Sequence, residues 1–564
     1  MLRWLGLGEE GFVEQLCLRK KAGIELREYQ VQAAKNVLQK GNSLVVMPTA
    51  LGKTFVAVLV IARLLYDQRR GRTPDGKFLF LVPTKPLALQ QARRLRELLD
   101  VDRSDVVVLS GEIAPKDRAG VWAGARIVVA TPQTVSHDLP KKRLDLRDFV
   151  LVVFDEAHRA VKEYAYSKIA KQAQGNSKTL LLGLTASPSA DKEKVAEICS
   201  NLAVKHIEIK TDKDYDVADF VKKVRTDFVF VDLPQEFLNL RSFLEALLSG
   251  PVSDLRNSGF LPPMKKPSKR HLLEARSKIL KAASRGGKSA YWFMSVQARA
   301  FNILHSIDLL ESQGTKALLQ FFHDMRSRKV QSKAVKALLA DSRFAKVEKA
   351  AQKLVEAGLD HPKKEKLFEI VGTAVREGKT TIVFAHFRAS SKEICNALNE
   401  LEGVKAVQFV GRSGAEGMTQ KKQAEVLDKF REGEFNVLVA TLIGEEGLDV
   451  PSVDLVVFYE TVPSEIRLIQ RRGRAGRVKS GNVIVLVAKD TKDEAFLWIS
   501  RKKERKMHRH LKSLKETLTE GEEVGVESVG LLPEEVVGKP VDELKEKRVG
   551  RTRGKAKQRK LGEF

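Results

Sequence analysis

The sequence predicts an α/β chain made of two doubly wound parallel-sheet lobes with a helical insert domain between them. Three observations predict it. Short, wholly apolar runs recur from Ser43 to Leu184 with helical patterns between them, as strands buried on both faces do. The same rhythm returns between Thr381 and Val487. From Gln235 to Gly358 the strand-type runs vanish, and long amphipathic stretches rich in Lys, Arg, Ala and Leu replace them.

The bulk numbers agree with several domains. At 564 residues the chain exceeds what one hydrophobic core usually serves. Its 43% hydrophobic and 30% charged residues exclude low-complexity disorder for most of the length. Ninety-nine Lys and Arg against 72 Asp and Glu leave +27, which favours a polyanionic partner, nucleic acid first. Cys17, Cys199 and Cys395 lie far apart without a CxxC pair, so a reducing compartment is expected, with neither disulfides nor a zinc site. Charges interrupt the first twenty residues, and the apolar run 55–62 is too short to span a bilayer. The chain therefore reads as soluble and cytoplasmic, with no membrane partner.

Taken in order, an N-terminal segment, 1–20, precedes a first lobe, 21–210, with strands predicted at 44–47, 78–82, 106–109, 127–130, 151–154 and 180–184. A connector, 211–234, leads to the insert, 235–358. Within it, segment 251–290 carries ten Lys or Arg against two Asp or Glu, fit either to follow a phosphate backbone or to be an ordinary solvated face. Its cluster Lys265, Lys266, Lys269 and Arg270 follows a Pro262-Pro263 turn and is the candidate grip on duplex. The second lobe, 359–510, has strands predicted at 381–384, 406–410, 437–440, 455–459 and 482–487. A tail, 511–564, ends in a run from Lys545 to Lys560 with nine Lys or Arg and one Glu, a composition that predicts disorder.

Chemistry enters where the first strand runs into Pro48-Thr49-Ala50-Leu51-Gly52-Lys53-Thr54 and then a helix. Backbone N–H groups of Thr49, Ala50, Leu51 and Gly52, with the helix N-terminus, can cradle phosphates; Lys53 can reach the β and γ groups and Thr54 can hold Mg²⁺. The strict phosphate-loop pattern fails at its first position, where Met47 stands, so Gly52-Lys53-Thr54 alone also fits coincidence. Asp155-Glu156-Ala157-His158 follows directly on an apolar strand, whose end would project Asp155 to Mg²⁺ through water and Glu156 to the attacking water. Read alone, those four residues also fit a helix cap.

The combination decides the matter. Thr185-Ala186-Ser187-Pro188, Gln470-Arg471-Arg472-Gly473-Arg474-Ala475-Gly476-Arg477, Pro83-Thr84-Lys85-Pro86-Leu87, Thr131-Pro132-Gln133-Thr134 and Ala440-Thr441 leading to Gly444-Glu445-Glu446-Gly447-Leu448-Asp449 complete an ordered set that resembles the superfamily 2 DEAH helicases. The resemblance implies RecA-like lobes hydrolysing ATP between them. It implies that Arg27 and Gln30 contact adenine, although Tyr29, Ala33, Ala34 and Val37 also fit a helix core stripe. Arg474 and Arg477 would stabilise γ-phosphate charge across the cleft, with Gln470 and Asp449 sensing nucleotide beside them. His158, Thr185 and Ser187 would link the ATP site to the strand-binding groove. Thr84, Lys85, Thr131, Pro132, Arg388 and Thr441 would hold the sugar-phosphate backbone of one strand, positioning without reading sequence.

Within that superfamily, segments 154–161, 435–441 and 445–451 resemble the archaeal Hef helicase and its relatives, which include Fanconi-anaemia M-type fork-remodelling translocases. This closer resemblance covers about residues 20–510 and implies forked or branched DNA as substrate, with replication or repair proteins as partners. Hef proteins often carry an XPF-like nuclease; Glu504-Arg505-Lys506 matches half of its signature, but His510 stands where Asp is required, so no nuclease activity is expected. The competing expectations are an RNA-directed helicase and an ATP-gated clamp that binds branched DNA and recruits partners.

Overall fold

A computed structural model describes residues 11–19, 25–48, 51–189, 191–211, 214, 225–264, 266–285, 289–411, 417–441, 453–461 and 482–519. Two parallel sheets organise them. The first contains β1 (Ser43–Val46), β2 (Lys77–Leu81), β3 (Val106–Leu109), β4 (Ile127–Ala130), β5 (Phe149–Asp155), β6 (Leu180–Thr185) and β7 (His206–Ile209), ordered β3-β4-β2-β5-β6-β1-β7. The second contains β8 (Arg225–Val231), β9 (Thr381–Phe384), β10 (Ala406–Phe409), β11 (Val437–Ala440), β12 (Leu455–Phe458) and β13 (Asn482–Ala488), ordered β10-β11-β9-β12-β13-β8. The two predicted doubly wound lobes are thus present, and each predicted strand lies within two residues of an observed one.

The apolar runs explain the layers. In β1, Val45 packs into the core on one face of the sheet while Leu44 and Val46 pack into the core on the other, so alternate residues are all buried. The helix Lys53–Arg69, which follows the phosphate loop, is buried nearly all round from Val56 to Leu65. Its one interior cation, Arg63, is matched by Asp67 at 2.8 Å, one turn on.

Between the lobes, the helices Gln235–Asn257, Lys269–Ser284, Ala290–Ser312, Thr315–Ser327, Lys333–Leu339 and Ser342–Glu356 enclose a core of their own around Phe237, Leu244, Phe322 and Phe344. Their starts obey capping chemistry: Ser268 accepts from the His271 N–H, Ser332 from Val335 and Asp341 from Arg343.

Three features were not foreseen. Strand β7, which no predicted run marks, closes the first sheet beyond β1. Segment 225–231, expected as part of a connector, is the edge strand β8, paired in register with β13 from Arg225↔Asn482 to Val231↔Ala488. The helix Lys492–Thr519 runs past the expected boundary at 510 and returns to the first lobe, where Met507 is buried in the core. No helix among the described residues is long and apolar enough to cross a membrane.

Candidate nucleotide site and nucleic-acid face

Parallel strands share one carboxyl-terminal edge, so the loops that leave them converge. The strand order sets β4, β2, β5, β6 and β1 side by side. At their ends stand Thr131 after β4, Thr84 after β2, Asp155 at the end of β5, Thr185 at the end of β6 and the phosphate loop after β1. The expected nucleic-acid residues therefore flank the expected nucleotide residues along a single edge. In the second sheet Arg388 follows β9 and Thr441 follows β11.

The phosphate loop is held from behind. The Leu51 carbonyl accepts hydrogen bonds from the Tyr29 hydroxyl at 3.0 Å and from Gln30 Nε2 at 2.9 Å. The Arg27 guanidinium donates to the same hydroxyl at 3.1 Å. Gln30, expected to read adenine, thus directs its amide N–H to the loop itself, and Tyr29 is both a core residue and a loop support. Gly52 sits at φ +74°, a conformation that strains any residue with a Cβ, and a Cβ there would lie 2.7 Å from Gln30 Nε2, which would have to move. Lys53 opens the helix behind it and Thr54 follows. Met47, which breaks the strict pattern, is buried and donates its main-chain N–H to Thr185 O at 3.1 Å, continuing β1 alongside β6.

A polar chain crosses from this loop toward β6. Lys53 Nζ stands 3.2 Å from Glu156 Oε1, His158 Nδ1 stands 3.4 Å from Glu156 Oε2, and the same Nδ1 stands 3.4 Å from Thr185 Oγ1. Thr185 Oγ1 in turn accepts the Ser187 N–H at 3.2 Å. Glu156 takes the left-handed conformation, φ 52° and ψ 50°, a strained turn that throws its side chain across the strand ends. Burial opposes ionisation of Glu156, yet Lys53 and His158 outweigh it and hold the carboxyl well below the usual range. Burial and the adjacent Glu156 charge push Asp155 up to about 6.

Tyr166 carries a role that local pattern could not disclose. Its buried hydroxyl donates to the Asp155 main-chain carbonyl at 2.7 Å and lies 3.3 Å from Leu81 O at the end of β2, tying the acidic strand to the one leading into Thr84 and Lys85.

On the flanking face, Thr84 precedes the helix Lys85–Leu98, and Lys85 is ion-paired with Glu112. Thr131 Oγ1 lies 2.9 Å from Thr134 Oγ1, and buried Pro132 opens the helix Pro132–Asp138. Asp138 fastens that helix by accepting from Trp122 Nε1, Arg118 and Arg143 at 3.1, 3.2 and 3.0 Å. Arg388 donates to Gly411 O at 3.0 Å, and buried Thr441 donates its N–H to Phe409 O at 3.0 Å.

The insert cluster divides. Lys266 pairs with Glu245 at 3.1 Å and Arg270 with Glu274 at 2.7 Å, both at the surface. Lys269, expected among the nucleic-acid contacts, turns inward instead, 2.8 Å from Asp308 and 2.9 Å from His305 Nδ1. It shares a helix face with buried Leu272, three residues on. Thr49, Ala50, Lys265, Asp449, Gln470, Arg474 and Arg477 lie outside the described residues.

Three family models match successive parts of the chain. Residues 23–190 match the model of the type III restriction enzyme res subunit, 236–361 an RNA helicase helical bundle, and 362–479 the helicase conserved C-terminal domain. The crystal structure of the Pyrococcus furiosus Hef helicase domain is similar over 84% of this chain and 98% of that one, with 41% identity and a TM-score of 0.66. The chain belongs to the Hef-type superfamily 2 helicases. Two curated relatives are the "Putative ATP-dependent RNA helicase MJ1505" of Methanocaldococcus jannaschii, 37% identical over 507 residues, and the "ATP-dependent DNA helicase mph1" of Neurospora crassa, 35% identical over 492. The matches take in 89% and 84% of this chain but 63% and 42% of those proteins, so the chain spans about half the length of these curated relatives. In this chain the Lys53–Glu156–His158–Thr185 contacts join the ends of β1, β5 and β6 into one connected network.

Proposed function

We propose that this chain is an ATP-dependent DNA helicase or translocase that remodels forked or branched DNA in replication-fork repair. What carries the reading is the polar chain from Lys53 through Glu156 and His158 to Thr185, on the strand edge that also holds Thr84 and Thr131. A network of this kind lets the nucleotide end and the polynucleotide end of one sheet respond to each other.

The residues present fit ATP with Mg²⁺. Asp155, buried at the end of β5, and Thr54, at the start of the helix after the loop, carry oxygen donors of the kind a hard divalent cation takes. Mg²⁺ held by Thr54 and Asp155 would neutralise charge on the β and γ phosphates. Lys53 binds and orients those phosphates. Glu156, ionised under the influence of Lys53 and His158, orients the attacking water and accepts its proton. By the family resemblance, Arg474 and Arg477 would supply transition-state charge, with Gln470 and Asp449 sensing the nucleotide. Thr84, Lys85, Thr131, Pro132, Arg388 and Thr441 hold one strand by its backbone, so specificity falls on strand structure.

ATP turnover and strand separation measured on forked DNA, a four-way junction, linear duplex DNA, single strands and duplex RNA test the reading, with Lys53→Ala as the inactive control. Turnover stimulated most by forked DNA is expected. A second reading, an RNA-directed motor, is favoured by the RNA-helicase names of the helical-bundle model and the Methanocaldococcus relative. Greatest stimulation by duplex RNA would establish it, and stimulated turnover without strand movement would leave an ATP-gated clamp for repair partners.

A further inference from the structure

The helices Lys269–Ser284 and Ala290–Ser312 form a hairpin with one anchored end and one open end. They run antiparallel, since Lys269 meets His305 while Gln297 Nε2 donates to Leu272 O at 3.0 Å. At the base, Asp308 takes Lys269 and also Lys492 of the second lobe, and Arg241 reaches Asp490 O at 3.1 Å. The far end of the first helix lies about 22 Å along its axis from that base, at 1.5 Å per residue.

That open end breaks the pattern of a solvated surface. Tyr291 is 80% and Trp292 54% exposed on the first turn of the second helix. Trp292 does not hang free: it rests edge-on against Phe293 with centroids 4.8 Å apart, and Phe293 meets Phe260 at 5.0 Å. Lys281 and Arg285 lie exposed on and just past the last turn of the first helix, and neither stands in an ion pair among the described residues. At the base the opposite holds, where Lys266, Lys269 and Arg270 each face a carboxylate.

Two exposed aromatic rings, close along the chain to two cations without ion pairs, suit a ligand that presents a flat π-face joined to anionic groups. An apolar protein surface would leave those cations poorly solvated, whereas a nucleotide satisfies ring and charge together. We propose that Tyr291 and Trp292 form a stacking platform for an unpaired nucleobase at a junction or strand end, with Lys281 and Arg285 on the adjoining phosphates. This rests on the nucleic-acid reading above and gives it a second contact, remote from the strand edges of the lobes.

The test uses the full chain and forked DNA carrying 2-aminopurine at the first unpaired position. Wild type should quench the 2-aminopurine fluorescence by stacking. Trp292→Ala and Tyr291→Ala should abolish or halve the quenching and weaken fork binding about 5- to 150-fold, the range for one stacked base, with Trp292→Phe restoring most of it. Lys281→Ala with Arg285→Ala should instead flatten the slope of log affinity against log salt by about two units. Thermal melting should match wild type for Tyr291→Ala, whose ring is largely exposed, and for Trp292→Phe, which keeps an aromatic ring beside Phe293. Wild-type binding with unchanged affinity and quenching in the alanine variants overturns the platform alone. So does loss of self-association in sedimentation with fork affinity intact, which would make this tip a protein contact. A wild-type chain that binds no nucleic acid overturns both readings.

Discussion

Gly52→Ala tests how the phosphate loop is held. The new Cβ would meet two penalties that the structure separates. At φ +74° an alanine adopts the left-handed region at a cost of about 1–2 kcal/mol. The same Cβ would lie 2.7 Å from Gln30 Nε2, forcing the amide away from the Leu51 carbonyl it now reaches at 2.9 Å. A hydrogen bond of that kind contributes about 0.5–1.5 kcal/mol. If both fall on the loop conformation that receives phosphate, ATP affinity drops by about 1.5–3.5 kcal/mol, or about 10- to 300-fold. Gln30→Ala removes the obstructing amide, so Gly52→Ala made in that background should cost only the backbone component. The coupling between the two sites should be about 1 kcal/mol. Titration of a fluorescent ATP analogue against wild type, both single variants and the double variant measures it. Strict additivity would refute the clash and leave backbone strain as the whole explanation.

Three further outcomes follow from the same geometry. Glu156→Gln keeps the size of the side chain but removes the charge that faces Lys53 and His158, so ATP should still bind while turnover falls at least 100-fold; equal losses in binding and turnover would deny Glu156 its water-orienting role. Tyr166→Phe deletes the 2.7 Å bond to Asp155 O and should lower the stability of the first lobe by about 1–2 kcal/mol in urea unfolding, together with turnover; an unchanged midpoint would show that the hydroxyl contributes nothing. His361 is buried, places Nε2 2.9 Å from Glu311 O, accepts the Lys363 N–H on Nδ1, and is pushed down to about 3 by burial and by Lys363. Its unfolded value is near 6.5, so its stabilising contribution is complete above that pH and is lost as pH falls toward 3, by up to about 4–5 kcal/mol. His361→Asn, which keeps the helix cap, should therefore lose less stability than wild type in melting curves between pH 6.5 and 4; parallel curves would refute the assignment.

Much of this architecture is written locally. A run such as Leu44–Val46, with every residue apolar, predicts a strand buried on both faces whatever its neighbours are, and the loop–lysine–helix sequence at Gly52-Lys53-Thr54 predicts its own geometry. Asp155 and Glu156 were legible because they end a strand whose five preceding residues are apolar. The helical insert was legible from its period. What the sequence could not decide was partnership across distance. Segment 225–231 begins with Arg225-Thr226-Asp227, unlike the wholly apolar runs, and carries no mark of its register with β13, which lies more than 250 residues away. Lys269 reads like Lys266 and Arg270, yet only the packing of the next helix brings Asp308 and His305 within its reach. Gln30 and Tyr29 look like adenine contacts or core residues until the loop folds back to present the Leu51 carbonyl. Tyr166 likewise becomes a link between strands only when β2 and β5 lie side by side. Local periodicity records which face of an element is buried, because that depends on spacing along one chain segment. The partner of a particular hydroxyl, amide or ammonium depends on which segments pack together, and that was decided by tertiary structure alone.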